Sequence, residues 1–173
     1  RKSSGGRQWN NVDLMDIDSD GLPDRVMRKD PYPTGKYLVQ FNDGKLSGGT
    51  GFRPKSDWSS IDDQASLNEW WSAVMFTTDT SDTTMGLWDI DGDHRLDHVA
   101  RPGVNGPISS WRVQKNTGTG FDPQVTWSTI DSQGVGSTNY DNPFSSNGTD
   151  TLSGLMDING DGKSDMLELY PSL

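Results

Sequence analysis

The chain has 173 residues and a net charge of −10, with 30 % hydrophobic residues, 20 glycines, seven tryptophans, two histidines and no cysteine. That length accommodates one domain, and so little apolar residue beside so much glycine suits a thin, loop-rich β protein closed by aromatics. The same inventory excludes disulfide staples and a zinc cluster. With no basic cluster and no long apolar run it also excludes a nucleic-acid partner and membrane insertion.

In chain order, residues 10–62 read as a first four-stranded antiparallel blade. Tyr37, Val39 and Phe41 alternate as one face of a half-buried strand. A polar stretch follows at 63–82, longer than an ordinary connection. Within it Ser66 and Glu69 match a helix capping box, so that a short helix could run through Trp70 and Trp71. Equally, Trp70, Ser72, Val74 and Phe76 alternate like an edge strand, and both readings stand. Residues 83–131 read as a second blade, 132–150 as a second polar connection, and 151–173 as a partial third blade of two strands. A repeat of 68 to 74 residues underlies this division. Tyr37-Leu38-Val39-Gln40-Phe41-Asn42 answers Trp111-Arg112-Val113-Gln114-Lys115-Asn116, Gly49-Thr50-Gly51-Phe52 answers Gly118-Thr119-Gly120-Phe121, and Trp58 answers Trp127. The first copy holds five extra residues near Asp43 to Ser47, read as a longer hairpin tip.

Each unit also carries the nine-residue pattern Asp-x-Asp/Asn-x-Asp-x-x-x-Asp: DIDSDGLPD from Asp16, DIDGDHRLD from Asp89 and DINGDGKSD from Asp157. Calcium takes six to eight oxygens at about 2.3 to 2.6 Å, and side chains at places 1, 3 and 5 with a carbonyl at place 7 can wrap it. The expected ligands are Asp16, Asp18, Asp20, the Leu22 carbonyl and Asp24 in loop one. Loop two offers Asp89, Asp91, Asp93, the Arg95 carbonyl and Asp97, and loop three Asp157, Asn159, Asp161, the Lys163 carbonyl and Asp165. Two like charges about 4 Å apart repel by roughly 4 kcal/mol at an effective dielectric near 20, so these loops should resist closing until a divalent ion reverses the sign. The loops hold 11 of the 25 acids, and three Ca²⁺ would add +6 to the −10, leaving about −4. Glycine at place 6 permits the sharp turn in loops one and three. His94 breaks that rule, and a tighter or differently twisted loop two is expected. Mg²⁺ suits such an all-protein cage less well.

Loop three also fits the helix-loop-helix calcium template, since Glu168 stands at place 12, where loops one and two carry Met27 and Ala100. The segments after the loops lack a helical apolar stripe, and the preferred picture is a turn joining two strands. The stretch Asp18 to Val26, the YLVQFN segment, the GTGF segment and the following Trp resemble the FG-GAP/VCBS-type calcium-binding β-propeller repeats. The form is close to that in Tc toxin B subunits, Salmonella plasmid virulence proteins and Rhs shells. The resemblance implies four-stranded propeller blades with Ca²⁺ in the first turn, in extracellular or cell-surface proteins that adhere, encapsulate or present surfaces.

Propellers close with about 4 to 8 blades, and two blades with a stub cannot close. The chain is therefore expected to be part of a longer propeller or to assemble with copies of itself into a ring or filament. The leading expectation is a calcium-stabilised structural or adhesion module, not an enzyme, since its acids are committed to metal and His94 and His98 read as a solvated turn residue and a strand-surface residue. The alternative is a glycan-binding or cell-surface-protein-binding module that uses Trp70 and Trp71, which have no counterpart in the second repeat. Trp58, Trp88, Trp111 and Trp127 are expected to cover the cores.

Overall fold

The computed structural model describes residues 2–4, 7–28, 36–44, 51–59, 75–77, 83–100, 110–128, 145–146 and 151–168. Among them the chain is all-β, without a helix, and every strand pairing is antiparallel. Strands β1 (Lys2–Ser4) and β2 (Arg7–Asn10) precede the first repeat. That repeat is a four-stranded meander of β3 (Val12–Met15), β4 (Asp24–Arg28), β5 (Lys36–Gln40) and β6 (Ser56–Ser59). The second contains β7 (Met75–Thr77), β8 (Thr83–Trp88), β9 (Asp97–Ala100), β10 (Ser110–Gln114) and β11 (Val125–Ser128). The third contains β12 (Ser145–Ser146), β13 (Thr151–Met156) and β14 (Asp165–Glu168) in a three-stranded sheet.

The hairpins follow from local chemistry. In β5 the period-2 alternation buries Tyr37 and Val39 completely while their neighbours stay half-buried. Beyond β5 and β10 the tips close at matching bridges, Asn42 with Phe52 and Asn116 with Phe121. Positions 43–51 thus correspond to 117–120, a tip five residues longer in the first repeat, as its spacing foretold.

Two features depart from the sequence expectation. The stretches 63–82 and 132–150 are not connections throughout, because β7 and β12 lie in them and pair with β8 and β13. Residues 75–77 are a strand, but not an edge: β7 sits between β8 and β2, so the second sheet has seven strands in the order β1-β2-β7-β8-β9-β10-β11. The chain therefore passes from β2, in the second repeat's sheet, directly into β3 of the first, which stitches the two repeats together. Pairing of three-residue strands across more than 60 residues leaves no periodicity to read. The helix considered at Trp70 and Trp71 lies outside the described residues.

The core is divided by repeat, and each portion is sealed by the repeat that follows. Ile17, Val26, Tyr37, Val39 and Trp58 form the first cluster, into which Phe121 of the second repeat inserts and against which Leu87 packs. Ile90, Val99, Trp111 and Val113 form the second, covered in turn by Leu155 and Met166 of the third repeat. The four repeat tryptophans serve these clusters: Trp58 and Trp111 are buried, and Trp88 and Trp127 pack against the second.

Candidate metal centre

Every acidic loop joins two antiparallel strands: β3 to β4, β8 to β9, and β13 to β14. Glu168 accordingly belongs to a strand, and the helix-loop-helix alternative for loop three does not hold. Places 4 and 6 of each loop are left-handed, with φ of 64° at Ser19 and 68° at His94 beside the glycines Gly21, Gly92, Gly160 and Gly162. His94 thus adopts the conformation its glycine counterparts take, and the expected difference in twist is absent. Its side chain stands in solvent.

The carboxylates are held by the turn's own N–H groups. At place 1, Asp16 accepts from Asp20 and Gly21, Asp89 from Gly92 and His94, and Asp157 from Gly160, Asp161 and Gly162, at 2.7–3.1 Å. At place 3, Asp18, Asp91 and Asn159 accept from the residue two further on. At place 9, Asp24, Asp97 and Asp165 reach back to the N–H of Ile17, Ile90 and Ile158 at 3.2–3.3 Å. The three copies of the pattern thus build one frame, because an Asx side chain in a turn can replace the missing backbone acceptors.

Within that frame, ligand oxygens of Asp16, Asp18 and Asp24 all lie within 4.8 Å of one another, as do those of Asp89, Asp91 and Asp97. Each triad could hold a metal ion, and a donor set of carboxylate oxygen alone suits a hard cation. Loop three repeats the hydrogen-bond frame with the amide of Asn159 at place 3. Place 5 behaves differently. Asp20, Asp93 and Asp161 turn one oxygen to the N–H of place 7, namely Leu22, Arg95 and Lys163, at 2.8–2.9 Å. Asp20 and Asp93 stand outside the triads.

Electrostatics distinguish the loops. Asp24 and Asp97 are fully buried. Burial raises the Asp24 carboxyl above the usual carboxylate range against the N–H bonds from Asn42 and Ile17. Burial, with the charges of Asp91 and Asp93 adding to it, pushes Asp97 up to about 6 although Asn116 N–H donates to it. Asp18 is also raised, by burial and then by Asp20. Desolvation would raise Asp91 too, but the Lys115 ammonium 2.6 Å away outweighs it and holds Asp91 low. Arg95 pairs with Asp93 in the same loop. Loop two therefore carries two cations of its own, whereas among the described residues no cation contacts Asp18.

Residues not singled out from sequence complete the site. Asn42 N–H donates to Asp24 at 2.8 Å and Asn116 N–H to Asp97 at 2.7 Å. The Asn116 amide, 1 % exposed, also donates to the carbonyls of Ile17 and Leu96. The Ile17 peptide thereby joins loop one, through Asp24, to loop two, through Asn116 and Asp97. Recurrence of Asn at the end of both matched strand segments was the available signal. The loops also touch: Ser19 Oγ donates to the His94 carbonyl, and Ser164 Oγ to the Asp89 carbonyl at 2.6 Å. His98 is a further correction, since it is buried against Phe121 at the junction of the first two repeats, not on a strand surface, and burial lowers its pKa to about 4. Trp70 and Trp71 lie outside the described residues.

No family model, no curated protein and no solved structure matches the chain.

Proposed function

We propose that this chain is a calcium-stabilised structural or adhesion module, built from β-propeller-type blades of the FG-GAP/VCBS kind, that works at the cell surface or outside the cell. The observation that carries the reading is the gathering of carboxylates at places 1, 3 and 9 of two loops, one of them fully buried in each. A buried carboxylate beside two others is costly unless a cation compensates it. Place 9 opens the strand after the turn, so an ion there ties both strands and the Asn42 or Asn116 tip to one point. The loops supply oxygen ligands already fixed by backbone N–H groups, and calcium supplies the charge that lets them close. Millimolar calcium outside cells is where acidic loops of this type stay filled. The role needs no reaction: stiffened sheets serve as part of a larger propeller, or of a ring or filament of copies.

Isothermal titration of chelator-stripped protein tests this. Calcium is expected to bind at three sites, with magnesium markedly weaker. Absence of calcium binding at millimolar ion would overturn the reading.

A further inference from the structure

The two repeat junctions obey one pattern, and the molecule also bears both unpaired halves of another such junction. At the first junction Leu87 packs on the first core, the Asn116 amide donates to the Ile17 carbonyl, and Ile17 is completely buried. At the second, Leu155 takes the place of Leu87 on the second core and Ile90 that of Ile17, 3 % exposed. Leu14 is the same residue of the first repeat, two before the first Asp of its loop, yet it is 60 % exposed, and Val12, counterpart of the buried Met85, is 48 % exposed. Asn42, counterpart of Asn116, gives one amide hydrogen to the Pro23 carbonyl. Its other amide hydrogen, which in Asn116 crosses the junction, has no acceptor among the described residues. On the third repeat Ile158, counterpart of Ile17 and Ile90, is 65 % exposed and Met156 56 %. Gly160 tells the same story: a Cβ there would meet nothing within 4 Å, whereas one on its counterpart Gly92 would lie 2.4 Å from the Gly162 carbonyl across the junction.

We propose that this chain binds a second copy of itself head to tail. The face bearing Val12, Leu14 and Asn42 covers the Met156 and Ile158 face of the next copy, and the Asn42 amide donates to that copy's Ile158 carbonyl. A second copy is the fitting occupant because these faces are the two complementary halves of a contact whose apolar cover the chain makes twice within itself and whose Asn bridge it makes once. Every molecule therefore presents both the apolar cover and the apolar seat. The contact is heterologous, so each addition regenerates the free face. It rests on the reading above, because Ile158 and Gly160 belong to an acidic turn that calcium has to hold in shape.

Sedimentation velocity at saturating calcium tests it with Leu14→Arg and Met156→Arg, 60 % and 56 % exposed and both outside the acidic turns. The unmodified chain is expected to shift to larger species as concentration rises, while each variant alone stays monomeric and melts at the same temperature as the dilute, monomeric parent. Mixed in equal amounts, the variants are expected to form a dimer and nothing larger, since one keeps its tail and the other its head. A parent chain monomeric up to millimolar concentration, a single variant that still assembles, or a mixture that does not pair would overturn the proposal. Calcium titration of the unmodified chain separates the two readings: ions bound by a parent that stays monomeric discard the interface alone, and no ions bound discards both.

Discussion

Asn116 and His98 lie between the first two repeats with opposite fortunes, one bonded throughout and the other with its Nε2 unpartnered among the described residues. Asn116→Ala strands the carbonyls of Ile17 and Leu96, and leaving buried polar groups unpaired costs about 1–3 kcal/mol each. Urea unfolding is expected to show a loss of at least that size, and calcium titration a weaker first loop, because the Ile17 peptide also steadies Asp24. The pH response combines two signs. The raised pKa of Asp97 favours the ion-free fold at acid pH, a contribution lost as pH rises through about 6. The lowered pKa of His98 has the reverse effect: its contribution is complete above 6.5 and is lost as pH falls towards about 4. Calcium, if bound as proposed, would keep Asp97 ionised and remove the first contribution. At saturating calcium the protein is thus expected to lose roughly 3 kcal/mol between those limits, and melting curves of His98→Asn should flatten that acid limb. Calcium affinity of loop two should itself fall about tenfold per pH unit below about 6, as a proton competes for Asp97.

The turn is the element that makes the repeat. Its places 4 and 6 are left-handed in all three copies, a conformation that costs a residue with a Cβ roughly 1–2 kcal/mol. His94→Gly removes that strain from an exposed side chain and is expected to stabilise by about 1 kcal/mol, less the entropy glycine adds to the unfolded chain. Gly92→Ala adds strain and also drives a methyl into the Gly162 carbonyl, whereas Gly160→Ala meets open space. Chemical denaturation should show Gly92→Ala as the more damaging of the pair by about 1 kcal/mol or more. The strands flanking the turns were legible because Tyr37 and Val39 alternate and the matched segments repeat in register. Strands β2, β7 and β12 were not, since two to four residues are too short to show a period, and β2 pairs with β7 more than 60 residues along the chain.

Across the whole molecule stability is passed from repeat to repeat, each core being finished by Leu87 and Phe121 or by Leu155 and Met166 of the next. An ion ordering one turn as proposed would therefore also order the seat of its neighbour, through Ser19 on His94 and Ser164 on Asp89. Each filled site is expected to stabilise by about 2.7 kcal/mol when free calcium is 100 times its Kd, and each kcal/mol to move Tm by roughly 2–4 °C at this size. Chelation should accordingly lower Tm by about 5–11 °C for each site emptied, in scanning calorimetry. Equal Tm with and without chelator would contradict metal coupling between the repeats.

Sequence alone determined the parts whose chemistry is local: three nine-residue turns rich in oxygen donors, their strands, and the aromatics that fill each small core. It did so because a ligand set inside one turn, like a period-2 strand, is written in neighbouring residues. Only the tertiary structure decided which acids converge. Oxygens of places 1, 3 and 9 converge in loops one and two while place 5 stands outside the group, an arrangement that spacing does not encode. It also decided that Asn116 bridges two loops, that His98 is buried, and that Leu14 and Ile158 remain bare while their counterparts are covered. Those outcomes depend on which repeat packs on which, and identical motifs acquire different surroundings only when the sheets are set side by side.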